Sequence, residues 1–351
     1  FISGDETLDA TSTLASIAVL PFVSTSEDAD IETVRIGVPD DLVNALFGIP
    51  GFRVAPRTAV SSLAEGLGAR QAGTELGVDA VLTGNVIPAG DRIGLSVELI
   101  EVEAGTLLWT SSFRLELESA AQLYGVEDSI VASIARALEV HVDATEGPLV
   151  RRSTDNLEAY ALFQQGRRAG TDLSVEGLEQ SLDYLEQAVE LDPEFALAYA
   201  HIAGTWELLT QVATLRPQEG WPKARDAARR ALEIDESLST AHAALAHYHV
   251  YFNYDWPSAE REGRRAVELD PNDPEARVTY GQILDYGGRG QESLEHFRRA
   301  VELDSTSSFY SANLASRLAT YGRAEEAEAE FERALALDPE NWVVWWCLAD
   351  G

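Results

Sequence analysis

One short pattern recurs five times in the C-terminal half of the chain. Its copies are AVELDP, ALEIDE, AVELDP, AVELDS and ALALDP, and they begin at Ala188, Ala231, Ala266, Ala300 and Ala334. Where a copy ends in proline, the helix cannot continue, so each copy predicts the end of a helix. Small or aromatic residues precede the alanine by seven and three positions, as Ser293 and Phe297 precede Ala300. We therefore expect each alanine to lie at the point where two helices approach most closely.

Large residues one helical turn apart follow each copy, as in Tyr199, Ile202 and Trp206, and they predict a first helix before each second helix. The copies are 43, 35, 34 and 34 residues apart. A period of 34 residues is that of tetratricopeptide repeats. AYALFQQGRR predicts an earlier first helix, which gives about five full repeats. The 43-residue spacing predicts a longer helix pair and loop.

The last segment, NWVVWWCLADG, fits the start of a sixth first helix through Trp345 and Leu348. Solenoids normally end in a polar cap. Because this segment is apolar, we expect the protein to continue past Gly351. The repeats are therefore expected over residues 156–351, as an all-α superhelix of about five repeats plus a partial sixth.

The N-terminal part alternates short apolar runs with amphipathic segments. SIAVLPF and FRVAP predict two strands. Between them, PDDLVNALFG predicts a helix with Asp40 and Asp41 in its first turn. DAVLTGNVIP, DRIGLSVELIEV and TLLWTSSFRLEL predict three more strands, joined by hairpin turns at PAGD and EAG. TAVSSLAEG, ARQAGTELG and LYGVEDSIVASIARALEV predict helices.

These elements predict an α/β domain, a mixed sheet with flanking helices, over residues 15–142. A leader precedes it at residues 1–14. EGPLVRRSTD contains Gly147 and Pro148 and predicts a linker over residues 143–155.

Three N-terminal segments, in this order, resemble the TolB N-terminal-like domain, also called FlgO-like: SIAVLPF, IPGFRVAPRTAV and TELGVDAVLTGNVIPAGDRIGLSVELIEVEAGTLLW. In bacteria that domain typically precedes tetratricopeptide repeats. The resemblance continues into LEAYALFQQGRR and YDWPSAEREGRRAVELDPND. The combination is similar to the accessory regions of Ser/Thr kinases, class III adenylate cyclases and winged-helix regulators.

This resemblance implies a non-catalytic interaction or sensory module of a larger signalling protein, whose catalytic or DNA-binding domain lies outside this chain. It also implies an extracytoplasmic, periplasmic location for the soluble part of a membrane-anchored protein, with the cytoplasm as the alternative. Two other functions stay open. One is a stand-alone envelope assembly or adaptor protein, and the other is the sensor part of a winged-helix transcription regulator.

The charge of the chain restricts its partners. Asp+Glu number 59 against 26 Lys+Arg, which gives a net charge of -33, and Lys223 is the only lysine. Such a surface repels phosphate backbones and anionic lipids, so neither nucleic acid binding nor docking on a membrane surface is expected. No apolar run approaches the length of a membrane span. A protein or peptide partner, especially a basic one, would be attracted over long range.

No pattern of residues predicts catalysis, a cofactor or a metal. His242 and His249 share one helix face, but His247 lies about 140° away, so three ligands do not converge as zinc requires. Gly66 and Gly68 follow a helix and lack the third glycine of a dinucleotide fingerprint, so a loop is expected. Cys347 lies among tryptophans, which favours packing over nucleophilic chemistry.

The concave surface of the superhelix is the candidate binding site, because the first helices line it in such arrays. The repeat period places eight residues there: Ala243, His247, Tyr251, Val278, Gln282, Tyr286, Ala312 and Ser316. These positions lack the lysines, arginines and asparagines that grip a C-terminal carboxylate. Their aromatic and small side chains suit an extended or helical peptide, although both tyrosines could instead pack against the next helix.

Overall fold

The computed structural model describes residues 14, 16–26, 28–47, 49, 52–61, 63, 67–90, 92–116, 118–138, 150, 152–172, 174–212, 215–339 and 342–350. They form an α/β domain followed by an all-α superhelix of paired helices, so the predicted fold class is confirmed. Most of the predicted leader and most of the predicted linker lie outside the described residues.

A five-stranded mixed sheet is the centre of the N-terminal domain. Its strands are β1 (Ser16–Val19), β2 (Arg53–Val54), β3 (Ala80–Ala89), β4 (Arg92–Glu101) and β5 (Leu107–Leu115), in the spatial order β2-β1-β3-β4-β5. β1 is parallel to both of its neighbours. β3, β4 and β5 form the expected antiparallel meander.

Helices cover both faces of this sheet. They are α1 (Ala29–Phe47), α2 (Arg57–Ser61), α3 (Ala69–Leu76) and α4 (Ala120–Ala137). Successive strand residues point to opposite faces. Ile17 therefore joins the core under α1 and α4, whereas Ala18 joins the smaller core that includes Val60 of α2 and packs against α3.

The predicted start of α1 at Pro39 is wrong, because the helix begins ten residues earlier and Pro39 lies inside it. A proline inside a helix removes one backbone hydrogen bond. The apolar face compensates, since it continues through the proline at helical spacing and is buried against the sheet: Ile31, Val34, Val38, Leu42 and Leu46. The Asp28 carboxylate caps the start by accepting from the backbone amides of Asp30 and Ile31. Asp40 and Asp41 consequently lie in the middle of the helix.

The superhelix contains five pairs of antiparallel helices and one further helix. The first helices are α5 (Leu157–Ala169), α7 (Ala196–Gln211), α9 (Ser239–Tyr251), α11 (Pro274–Tyr286) and α13 (Ser308–Thr320). The second helices are α6 (Val175–Leu191), α8 (Pro217–Ile234), α10 (Trp256–Leu269), α12 (Gly290–Leu303) and α14 (Ala324–Leu337). α15 (Trp342–Asp350) occupies the position of a sixth first helix.

The alanines of the recurring pattern lie where the sequence predicts. All five are fully buried in the second helices, at 0% exposure. The longer 43-residue spacing is also explained, because α7 has 16 residues and α8 has 18, whereas α9 has 13 and α10 has 14. The period therefore gives both the number of helix pairs and their contact positions.

Candidate functional site

The first helices form the inner layer of the superhelix, since α7 contacts α9, α9 contacts α11, and α11 contacts α13. The residues on this layer define the concave groove. Four of the eight predicted groove residues, Ala243, Val278, Ala312 and Ser316, are buried between neighbouring helices at 7% exposure or less. The other four, His247, Tyr251, Gln282 and Tyr286, keep part of their surface accessible.

An ion pair lies at the centre of this groove. His247 Nδ1 of α9 is 2.5 Å from Glu207 Oε1 of α7, and both side chains are largely buried. Burial opposes the charging of His247, but the charges of Glu207 and Glu275 and the hydrogen bond to Glu207 outweigh it and raise the pKa of His247. The groove therefore presents a histidine that is held in place and more readily protonated than a free one.

An aromatic row continues from this ion pair. The ring of Tyr251 stacks on Trp221 with centroids 5.7 Å apart, and its edge meets the ring of Tyr286 at 6.5 Å. The Tyr251 hydroxyl donates to Gln282 Oε1 at 3.2 Å. Tyr251 thus packs against its neighbours, as the alternative interpretation expected, whereas Tyr286 is 50% exposed.

Sequence reasoning missed the charged residues that take part in this groove. Glu207 is one of them: the pattern copies at Ala188 and Ala231 make Gly204 the counterpart of His247, and Glu207 lies one helical turn beyond Gly204. Asp285 of α11 is another, since Arg317 Nη1 of α13 contacts its Oδ2 at 2.6 Å and the Tyr321 hydroxyl donates to its Oδ1. This arginine is neutralised by Asp285, so it does not offer an unpaired positive charge for a C-terminal carboxylate.

Helix α1 of the α/β domain closes one side of the superhelix. The hydroxyl of Tyr160 on α5 donates to Asp41 Oδ2 at 2.7 Å, and Arg167 contacts Asp40 at 3.3 Å. At its other end, the Phe47 carbonyl accepts from Asn272 Nδ2 at 3.0 Å, in the turn between α10 and α11. α1 therefore bridges the first repeat and the end of the third.

The Asp41 carboxyl in this bridge is half-buried. Burial raises its pKa to about 6, although the Tyr160 hydroxyl and the charge of Arg167 act in the opposite direction. Tyr160 in turn meets the ring of Tyr124 on α4 at a centroid distance of 5.9 Å. The junction between the two domains is thus a packed interface and not a loose tether.

The other histidines and the cysteine that were considered for metal binding or catalysis contact neighbouring side chains of the fold. His242 Nδ1 lies 2.7 Å from Glu262 Oε2, and His249 Nδ1 lies 3.2 Å from Asn253 Oδ1. Cys347 is buried in a cluster with Val343 and Val344. Gly68 directly precedes α3, and Gly66 lies outside the described residues.

Within the part of the chain that the structure describes, no three or more His, Cys, Asp or Glu side chains come together as a metal would require. None of the described helices combines the length and the apolarity needed to cross a bilayer.

Comparison with protein families gives two matches. Residues 312–341 match the tetratricopeptide repeat family. The C-terminal half is a tetratricopeptide-repeat superhelix. Residues 12–133 match the second domain of HilA/YgeH-like transcriptional regulators. The TolB N-terminal-like resemblance of this domain stays a prediction.

Two curated proteins are similar to longer stretches. A candidate adenylate cyclase, number 3, of Rhizobium meliloti (strain 1021) is 29% identical over 235 residues, which is 66% of this chain and 39% of that protein. The transcriptional regulator HilA of Salmonella paratyphi A is 21% identical over 231 residues, which is 64% of this chain and 39% of HilA. This chain thus spans about two fifths of the length of either relative.

Solved tetratricopeptide-repeat proteins also resemble the chain. YrrB, described as having an unusual peptide-binding site, is 24% identical and covers 54% of this chain and 92% of its own, with a TM-score of 0.33. A thermophilic repeat protein of Thermus thermophilus is 15% identical and covers 54% of this chain and 97% of its own, with a TM-score of 0.45.

Proposed function

We propose that this chain is the non-catalytic interaction module of a larger bacterial signalling protein of the kinase or adenylate cyclase type. In this proposal the concave groove binds a peptide or a segment of another protein. The observation that supports it best is the half-exposed Tyr286 ring. It meets the ring of Tyr251, which is held by Gln282 and lies next to His247 of the Glu207–His247 pair. Exposed aromatic residues on a rigid base are the usual energetic anchors of protein interfaces.

The partner in this proposal is basic. The net charge of -33 attracts positively charged segments over long range. Because salt screens such attraction, the affinity for a basic peptide falls as the salt concentration rises.

The groove is tested with the double variant Tyr251→Ala and Tyr286→Ala. Random dodecapeptides displayed on phage are selected on the wild-type chain, and the enriched peptides are synthesised and titrated by calorimetry. We expect the double variant to bind them at least about tenfold more weakly while keeping its helical circular dichroism, because the variant removes the exposed Tyr286 ring and the Tyr251 ring that packs against it. Tyr254→Asn is the matched control, since it removes a 69% exposed tyrosine from the turn after α9. If the double variant and the wild type bound the peptides with equal affinity, the assignment of the groove as the binding site would be refuted.

A second function is favoured by the family match of residues 12–133. In a HilA-like regulator, this chain would be the sensor part that follows a winged-helix DNA-binding domain, and it would act in the cytoplasm. The coding sequence upstream of Phe1 decides between the two proposals. A kinase or cyclase domain followed by about 20 apolar residues supports the membrane-anchored module with this part in the periplasm. A winged-helix domain supports the regulator.

A further inference from the structure

A second cleft lies on the face of the first repeat that points away from the second repeat. It has a volume of about 1400 Å³ and is bounded by the first half of α1, by α5 and by α6. Domain junctions are preferred places for ligand sites. The volume exceeds the roughly 300–1,000 Å³ of small-molecule pockets, which favours a polymeric ligand.

Carboxamides and carboxylates are equally represented in the described lining of this cleft, with four side chains each. Four glutamines take part: Gln164 and Gln165 of α5, and Gln180 and Gln187 of α6. Gln164 is only 2% exposed, and its Nε2 has no hydrogen-bond partner although its Oε1 accepts from Arg167. A buried donor without an acceptor costs free energy, so a ligand that supplies an acceptor gains from it.

The charged residues that line the cleft do not favour an anionic ligand. Arg168 is the only Lys or Arg among the described lining residues, and its Nη1 lies 3.4 Å from Glu32 Oε1 across the cleft. The remaining charged groups in the described lining are carboxylates. The chemistry therefore suits a neutral or weakly basic ligand that both donates and accepts hydrogen bonds.

The spacing of the lining residues along α6 indicates which class of ligand fits the cleft. Gln180, Tyr184 and Gln187 are four and three residues apart and so share one face of the helix. Seven residues of helix rise about 10.5 Å, which is the length of about three residues of extended chain. A glutamine amide can donate to a peptide carbonyl and accept from a peptide N–H. Gln187 Nε2 already donates to the Asp183 carbonyl of its own helix, which leaves its second N–H and its Oε1 for a ligand. The two amides thus match peptide groups about three residues apart.

We propose that this cleft binds an extended polypeptide segment through its main-chain amides. Gln180 and Gln187 pair with two peptide groups, Gln164 Nε2 donates to a carbonyl at the base, and Tyr184 packs on the backbone between them. This site is separate from the concave groove and tolerates many peptide sequences, because main-chain groups are common to all peptides.

The test begins with the groove already disabled. Random dodecapeptides on phage are selected on the Tyr251→Ala/Tyr286→Ala chain, so that enrichment reports another site. The synthesised peptides are then titrated into that chain carrying Gln180→Ala and Gln187→Ala. Glu179→Ala with Glu186→Ala is the matched control, because these exposed residues have the same spacing on the neighbouring face of α6. We expect about tenfold weaker binding for the glutamine variant and unchanged binding for the control.

A second measurement identifies what is recognised. Methylating single main-chain nitrogens of a selected peptide should weaken binding about tenfold at two positions some three residues apart, whereas alanine substitution of its side chains should have less effect. Three results would overturn the proposal: no enriched peptide, equal affinity for the glutamine variant and its control, or sensitivity to peptide side chains alone. None of these results depends on whether the groove itself binds a partner.

Discussion

Replacing Ala266 by tryptophan tests the helix contacts of the third repeat. Ala266 of α10 is fully buried and packs in one cluster with Ala243 of α9 and Ala276 of α11. Three alanines meet there, so the helices approach closely and leave no room for an indole. Protein interiors are packed as densely as organic crystals, and added atoms displace their neighbours.

Overpacking of this kind typically costs about 1–3 kcal/mol, and an alanine-to-tryptophan change lies at the upper end. For the roughly 195 residues of the superhelix, about 3 kcal/mol lowers the melting temperature by roughly 6–12 °C. Repeats are stabilised mainly by their neighbours. We therefore expect the loss to be concentrated in α9, α10 and α11, where amide hydrogen exchange should become faster.

The control places the same side chain one residue earlier. Arg265 of α10 is about half exposed, so Arg265→Trp adds an indole on the solvent side of the helix. Thermal and urea denaturation of both variants are compared with the wild type. The reasoning fails if Ala266→Trp melts at the wild-type temperature, or if both variants lose the same stability, because the predicted contact would then not exist.

Two further predictions concern buried carboxyl groups. Glu127 of α4 is fully buried, neither of its oxygens has a hydrogen-bond partner, and burial raises its pKa well above the usual range. Glu127→Leu should therefore raise the free energy of unfolding by about 1–3 kcal/mol, seen as a higher urea midpoint, and a lower midpoint would contradict this. Asp41 has a folded-state pKa of about 6, above the ordinary 3.8, so the folded chain holds a proton that the unfolded chain releases. Its contribution to stability is thus most favourable near pH 4 and is lost as the pH rises to about 6. Asp41→Asn keeps an acceptor for Tyr160 and should flatten this part of the curve of unfolding free energy against pH; identical slopes for both proteins would refute it.

The periodic part of the fold could be predicted from sequence because it depends on local spacing. The alanine pattern and the helix stops give the number of helix pairs and their closest contacts. The start of α1 could not be predicted in the same way, because Pro39 resembles a boundary, whereas the buried residues from Ile31 to Leu46 continue the helix through it. Burial of a whole helix face outweighs one missing hydrogen bond.

The groove could be predicted only in part. The repeat register places residues on the inner layer, but side-chain size decides which of them reach the surface, so Ala312 and Ser316 end up buried. The ion pair of Glu207 with His247 joins two different repeats and follows from no single motif. Contacts between the domains are harder still to predict from the sequence, because Asp41 and Tyr160 are 119 residues apart and Phe47 and Asn272 are 225 residues apart.

Gly263 shows how a departure from the repeat pattern is accommodated. It stands where an aromatic residue is usual in the second helix. A Cβ atom at this position would lie 2.7 Å from Ile283 Cδ1 and 3.2 Å from Tyr280 Cδ2. The large side chains of Ile283 and Tyr280 on the next helix, α11, therefore fill the space that an aromatic residue at position 263 would otherwise occupy.

The bridge made by α1 has a mechanical consequence. A superhelix of stacked pairs behaves as a spring whose pitch changes when neighbouring pairs rotate slightly. α1 spans the first three helix pairs and is attached to them by hydrogen bonds to Tyr160 and to Asn272. Stretching or tightening these helix pairs would require one of the two hydrogen bonds to break, so we expect elastic deformation first in the repeats beyond α10. A pull on the C-terminal end would consequently be absorbed there before it reached the α/β domain.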